Sequence, residues 1–107
     1  MVQAIKAAQL ADQLRDYLAT WTTQDLAGYL FTITQVTLST DLRQATAWVD
    51  ILQEKDKTVV MQQLEKKKKT YQNKLHQHLK RHIIPVLHFR YDDQVQLEAR
   101  FTELLNS

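Results

Sequence analysis

Residues 58–83 read TVVMQQLEKKKKTYQNKLHQHLKRHI. Val60, Leu64, Tyr71, Leu75 and Leu79 recur at helical spacing and form one apolar stripe facing a core. Lys66, Lys67, Lys68 and Lys69 interrupt that stripe for one turn. Successive helical residues point about 100° apart, so four in a row sample every side of the helix. At least one ammonium group is then aimed at the core, where burying it unpaired is costly. Either the helix bends or breaks at the lysines, or a lysine stem runs along apolar surface and delivers its charge to water.

Charge is distributed as unevenly as this stretch suggests. The net charge is only +2, but residues 65–82 hold seven basic groups and one acid, while the remainder is net acidic. His76, His78 and His82 lie in the same segment and add charge at mildly acid pH. A basic segment in a small protein points to a polyanion, most often nucleic acid, and competes with a plain solvated helix face. A chain of 107 residues, 44% apolar and 24% charged, is ordinary globular material for one domain spanning residues 1–107. It has no cysteine, which excludes a disulfide framework, a thiolate metal site and a cysteine nucleophile. No apolar run approaches the roughly 18 residues of a membrane span. The start, MVQAIKAAQLADQL, mixes charge with helical periodicity and does not read as a signal peptide. The expectation is a soluble cytoplasmic protein.

Outward from the basic stretch, the elements fall in order. Residues 3–20 carry Ala7, Leu10, Ala11, Leu14, Tyr17 and Leu18 on one helical stripe, ended by the poor helix formers Trp21, Thr22 and Thr23. Gly28 marks a loop. Residues 29–38 are a strand in which Phe31 and Ile33 have one parity and Val36 and Leu38 the other. Keeping all four on one face requires a β-bulge near Thr34–Gln35. Ser39, Thr40 and Asp41 form a turn into a second strand, 43–52, where Ala45, Ala47, Val49 and Ile51 alternate with polar residues and Trp48. The two strands make a hairpin, and the alanines allow a helix to approach closely. Asp56 or Thr58 caps the basic helix, and Pro85 prevents its continuation. Residues 85–91 are a third strand, Asp92 and Asp93 turn the chain, and 95–105 suggest a short last helix. The second and third strands, joined through a helix, pair in parallel. The result is an α+β fold of order α-β-β-α(α)-β-α: a three-stranded mixed sheet, order 1-2-3, with helices on one face.

In this register the chain resembles the ribosome-binding factor A family, bacterial KH-like proteins of type II topology. FTITQVTLSTDLRQATAWVDIL is similar to the family's V-T-V-T-x-V-x-x-S-x-D-L-x-x-A-x-V-Y-V, through Thr32, Thr34, Val36, Ser39, Asp41, Leu42, Ala45 and Val49. IIPVLHFRYDD resembles V-P-x-L-x-F-x-x-D through Pro85, Leu87, Phe89 and Asp93, and RFTELLNS resembles R-I-x-x-L-L through Arg100, Leu104 and Leu105. Three places depart from the pattern. DLAGYL keeps Asp25 of D-P-R-x-G but lacks its proline and arginine, and Glu98 replaces a loop glycine. The A-x-G that kinks the family's central helix falls on Lys67, Lys68 and Lys69. Without glycine, a softer bend or a nearly continuous helix is expected.

The resemblance implies a non-enzymatic factor, without cofactor or small-molecule substrate, that binds the small ribosomal subunit and its 16S rRNA and assists rRNA processing. It implies no membrane partner, and the chain is expected to be monomeric. Lys66, Lys67, Lys68 and Lys69 stand where KH domains clamp backbone nucleotides. Lys74, Lys80 and Arg81 continue the basic surface, and Arg43 adds to it at the hairpin. The alternatives are a KH-like binder of another RNA, or a module whose sheet edge or Trp48 face joins a protein. Salt dependence separates these, because four or five phosphate contacts give a log–log slope of about −3 to −4 on a single strand. Trp48 on the outer sheet face is a candidate for base stacking, against simple sheet packing. His78 and His82, four apart, have the spacing of a metal pair but no third ligand. Asp92–Asp93 read as turn formers rather than an acid–base pair.

Overall fold

The computed structural model describes residues 2–93, with side chains from Lys6 onward. The elements are helix α1 (Val2–Asp25), strands β1 (Phe31–Leu38) and β2 (Gln44–Ile51), a short 3-10 turn (Glu54–Asp56), helix α2 (Lys57–His78) and strand β3 (Val86–Tyr91). β1 and β2 are antiparallel, β2 and β3 parallel, in the order β1-β2-β3. This is the expected architecture. The expected last helix, 95–105, lies outside the described residues. Among the described residues no helix is long and apolar enough to cross a membrane.

The bulge sits where the parity change demands it. Ile33 pairs with Val49 and Gln35 with Trp48, leaving Thr34 as the extra residue. Ile33 and Val36 are consequently both buried. The Thr34 hydroxyl donates to Asp92 Oδ2 at 2.9 Å and lies 3.2 Å from the Trp48 carbonyl. Asp92 is thus a buried tie between the bulge and the end of β3, where its own N–H donates to Val49. The β2 residues Ala45, Ala47, Val49 and Ile51 are fully buried beneath the helical layer. In the hairpin turn Leu42 adopts φ 60°, which costs a non-glycine residue about 1–2 kcal/mol. Asp41 organises that turn by accepting from the Ser39 hydroxyl at 2.7 Å and the Arg43 N–H at 3.1 Å. Those bonds, led by the Ser39 hydroxyl, hold its carboxyl below the usual aspartate range.

Both helix C-termini differ from the sequence expectation. α1 runs through Trp21, Thr22 and Thr23 to Asp25 instead of stopping at residue 20. Trp21 and Thr22 are buried, and Trp21 stacks on Tyr17 and on Tyr71 of α2. Tertiary packing there outweighs weak helix propensity. α2 ends at His78 rather than at residue 83, because Leu79 turns to extended geometry and is buried. The chain needs the following residues to return to the sheet. At the other end of α2, Asp56 occupies the cap position without a side-chain cap bond, and Thr58 lies inside the helix.

Candidate nucleic-acid interface

α2 is continuous from Lys57 to His78, straight through the four lysines. Lysine is a good helix former, and the turn contains neither glycine nor proline. Val60, Leu64, Tyr71 and Leu75 are fully buried. Leu64 and Tyr71 are two turns apart, and the core-facing place between them falls to Lys67 and Lys68. Neither is buried: their side chains keep 39% and 32% exposure, so the stems lie over the core while the heads reach acids. Lys67 Nζ stands 3.8 Å from Asp25 Oδ2 across the helix seam. Lys68 Nζ stands 2.6 Å from Glu65 Oε1 on its own helix. Lys66 and Lys69 are exposed.

The seam explains this division. α1 and α2 run antiparallel here, pairing Tyr17 with His78, Trp21 with Lys74, and Asp25 with Tyr71 and Lys67. The Tyr71 ring lies 6.5 Å from Trp21 and 6.0 Å from Phe89, and its hydroxyl donates to Asp25 Oδ2 at 2.8 Å. Burial first, and then the Asp25 hydrogen bond and charge, push the Tyr71 hydroxyl well above the ordinary tyrosine value. A group whose acid form is favoured in the folded state contributes stability below its unfolded pKa, near 10, and loses it as pH rises further. We therefore expect an alkaline fall in stability above about pH 10. It should be visibly reduced in Tyr71→Phe when unfolding is followed by circular dichroism across that range.

Lys74 is only partly exposed, with its Nζ 5.4 Å from the Trp21 ring centroid. Lys80 and Arg81 are exposed but lie beyond the helix end, which corrects their expected helical placement. Arg81 faces the hairpin turn across a cavity of about 620 Å³ lined by Leu38, Ser39 and Leu42. Arg43 is exposed at the same end of the sheet, where its carbonyl accepts from Val86. The cations thus form two groups. Lys66 and Lys69 sit mid-helix, while Lys80, Arg81 and Arg43 gather at the hairpin end. Exposed Asn73, His76 and Gln77 connect them along the outer face of α2, over roughly 14 Å of helix rise.

The remaining candidates have structural contacts. Trp48 is half-buried on the outer face, and its indole N–H donates to Thr37 Oγ1 at 3.0 Å. His78 packs its ring 5.3 Å from both Tyr17 and Trp21, and His82 lies beyond the helix, so the two do not share a helical face. Gln72 did not stand out in the sequence. Its amide donates to the Pro85 carbonyl and accepts from the Leu87 N–H, closing the free edge at the start of β3. Asp25 stood out only as a remnant of a motif, and its partners are 42 and 46 residues away in sequence.

A family model described as ribosome-binding factor A matches residues 3–105. Ribosome-binding factor A of Bradyrhizobium sp. (strain ORS 278) is 30% identical over 83 residues, which is 78% of this chain and 60% of that protein. Its counterpart from Methylobacterium sp. (strain 4-46) is 32% identical over 82 residues, 77% of this chain and 59% of the relative. The chain therefore matches about three fifths of the length of these relatives. The crystal structure of ribosome-binding factor A from Thermus thermophilus aligns with TM-score 0.69 and 23% identity, over 79% of this chain and 93% of that one. A Thermotoga maritima solution structure aligns with TM-score 0.69 and 21% identity, over 81% and 87%. At such identities the structural likeness speaks for the fold.

Proposed function

The chain belongs to the ribosome-binding factor A family, and on that premise we propose that it binds the small ribosomal subunit and assists maturation of its 16S rRNA. It acts as one KH-like domain in the cytoplasm, as a monomer, without catalysing a reaction and without a cofactor. The observation that carries this reading is the exposed cationic face of α2. Lys66 and Lys69 project from a rigid, continuous helix, and Lys80, Arg81 and Arg43 extend the face to the hairpin end. Such groups neutralise phosphates and give strong, salt-dependent affinity with little sequence readout. Sequence preference would come from the shape of the rRNA rather than from base edges.

The test is co-sedimentation with small ribosomal subunits at low and raised salt. Wild type is expected to pellet with the subunits at low salt and to be released as salt rises. The Lys66→Ala/Lys69→Ala protein should already be largely in the supernatant at low salt. Both residues are exposed, so the fold should survive. Full binding by that double variant would show that the helix face is not the contact surface.

A further inference from the structure

We propose that Asp25 is a positioning residue for the cationic face: it draws Lys67 across the helix seam and so limits which lysines of the 66–69 turn reach RNA phosphates. This rests on the RNA-binding reading above and adds a division of labour among the four lysines. Two features point to it. First, Asp25 is the last residue of α1, and a carboxylate at a helix C-terminus faces the negative end of the dipole. An acid there is unfavourable unless something else holds it. Second, what holds it is rigid. Oδ2 accepts from the Tyr71 hydroxyl at 2.8 Å, and Tyr71 is fully buried between Trp21 and Phe89. The same oxygen is the partner of Lys67.

Lys68 is held differently. Its partner Glu65 lies on the same helix at 2.6 Å, keeps 58% of its side-chain exposure and, among the described residues, accepts from no other side chain, so nothing carries that pair across the seam. The face offered to RNA is therefore led by Lys66 and Lys69, which have no ion pair among the described residues, while Asp25 draws Lys67 towards α1. Because one carboxylate sets this, neutralising it should add a phosphate-binding cation without adding a basic residue.

The experiment measures binding of a single-stranded oligouridylate across a salt series by fluorescence anisotropy. Asp25→Asn keeps an acceptor for the Tyr71 hydroxyl and removes the charge. It should tighten binding by about two- to fivefold, the scale of a half-exposed ion pair. It should also steepen the log–log salt slope by about 0.7, one phosphate contact on a single strand. Lys67→Ala should leave affinity near wild type, while Lys66→Ala and Lys69→Ala each weaken it. In the Asp25→Asn/Lys67→Ala double variant the gain should vanish.

If the gain persists in the double variant, it reflects long-range charge and the proposal is wrong. A loss in Lys67→Ala as large as in Lys66→Ala overturns it too, and that arm does not depend on how the Asp25 variant folds. If Lys66→Ala/Lys69→Ala binds the probe as wild type does, the RNA-binding reading of this face falls, and this inference with it. If that variant is weak but Asp25→Asn is unchanged, only the inference falls.

Discussion

Tyr71→Ala is expected to destabilise the protein by about 3–5 kcal/mol. That is a large share of the roughly 5–15 kcal/mol that holds a typical domain folded. The ring is fully buried and joins three elements, packing on Trp21 of α1 and Phe89 of β3 from its place on α2. Its removal leaves a cavity at the crossing of both helices over the sheet, and rigid neighbours cannot close it. It also strips Asp25 of its hydroxyl donor. Tyr71→Phe separates the two contributions, because it keeps the ring and loses only the hydrogen bond, at about 1 kcal/mol. Urea unfolding midpoints of the two variants measure both. Equal losses would mean that the hydroxyl, rather than the packing, governs the seam. A loss below about 1 kcal/mol for the alanine variant would mean that the helices repack freely.

The second large effect concerns binding. With Lys66, Lys69, Lys80 and Arg81 all changed to alanine, affinity for a single-stranded RNA should fall on the order of 100-fold at low salt. The log–log salt slope should lose about 3 of its magnitude, near 0.7 for each phosphate contact. Among the described residues none of these four has an intramolecular ion pair, so the substitutions remove contact groups rather than structural ties. Comparing Lys66→Ala/Lys69→Ala with Lys80→Ala/Arg81→Ala shows whether RNA crosses both cation groups. If the helix-end pair leaves the slope unchanged, the contact is confined to the middle of α2. If all four changes leave it unchanged, the basic face is a solvated surface.

Much of this was legible in the chain alone. Strand parity around Thr34 required a bulge, because side chains alternate with a period of two and one extra residue is the only way to switch faces. The alternation of Ala45, Ala47, Val49 and Ile51 specified the buried face of β2, and the stripe from Val60 to Leu75 that of α2. The basic segment and its candidate cations were equally visible as composition. These are local or periodic signals, and local physics is what a sequence states directly.

The tertiary structure decided what the lysine turn does. Four identical residues are indistinguishable in sequence, yet their surroundings separate them: Lys67 meets Asp25, Lys68 meets Glu65, and Lys66 and Lys69 face water. The helix runs unbroken because long lysine stems can cover apolar surface while their charges stay hydrated, so no kink is needed. The length of α1 and the stop of α2 at His78 were likewise set by burial of Trp21, Thr22 and Leu79, contacts that outweigh intrinsic propensity. The sequence alone determined that a cationic helix lies over a three-stranded sheet. In the lysine turn Lys67 finds its partner in Asp25, which Tyr71 also holds, and folding alone brings Asp25 and Tyr71 together, because the interaction joins residues 46 positions apart.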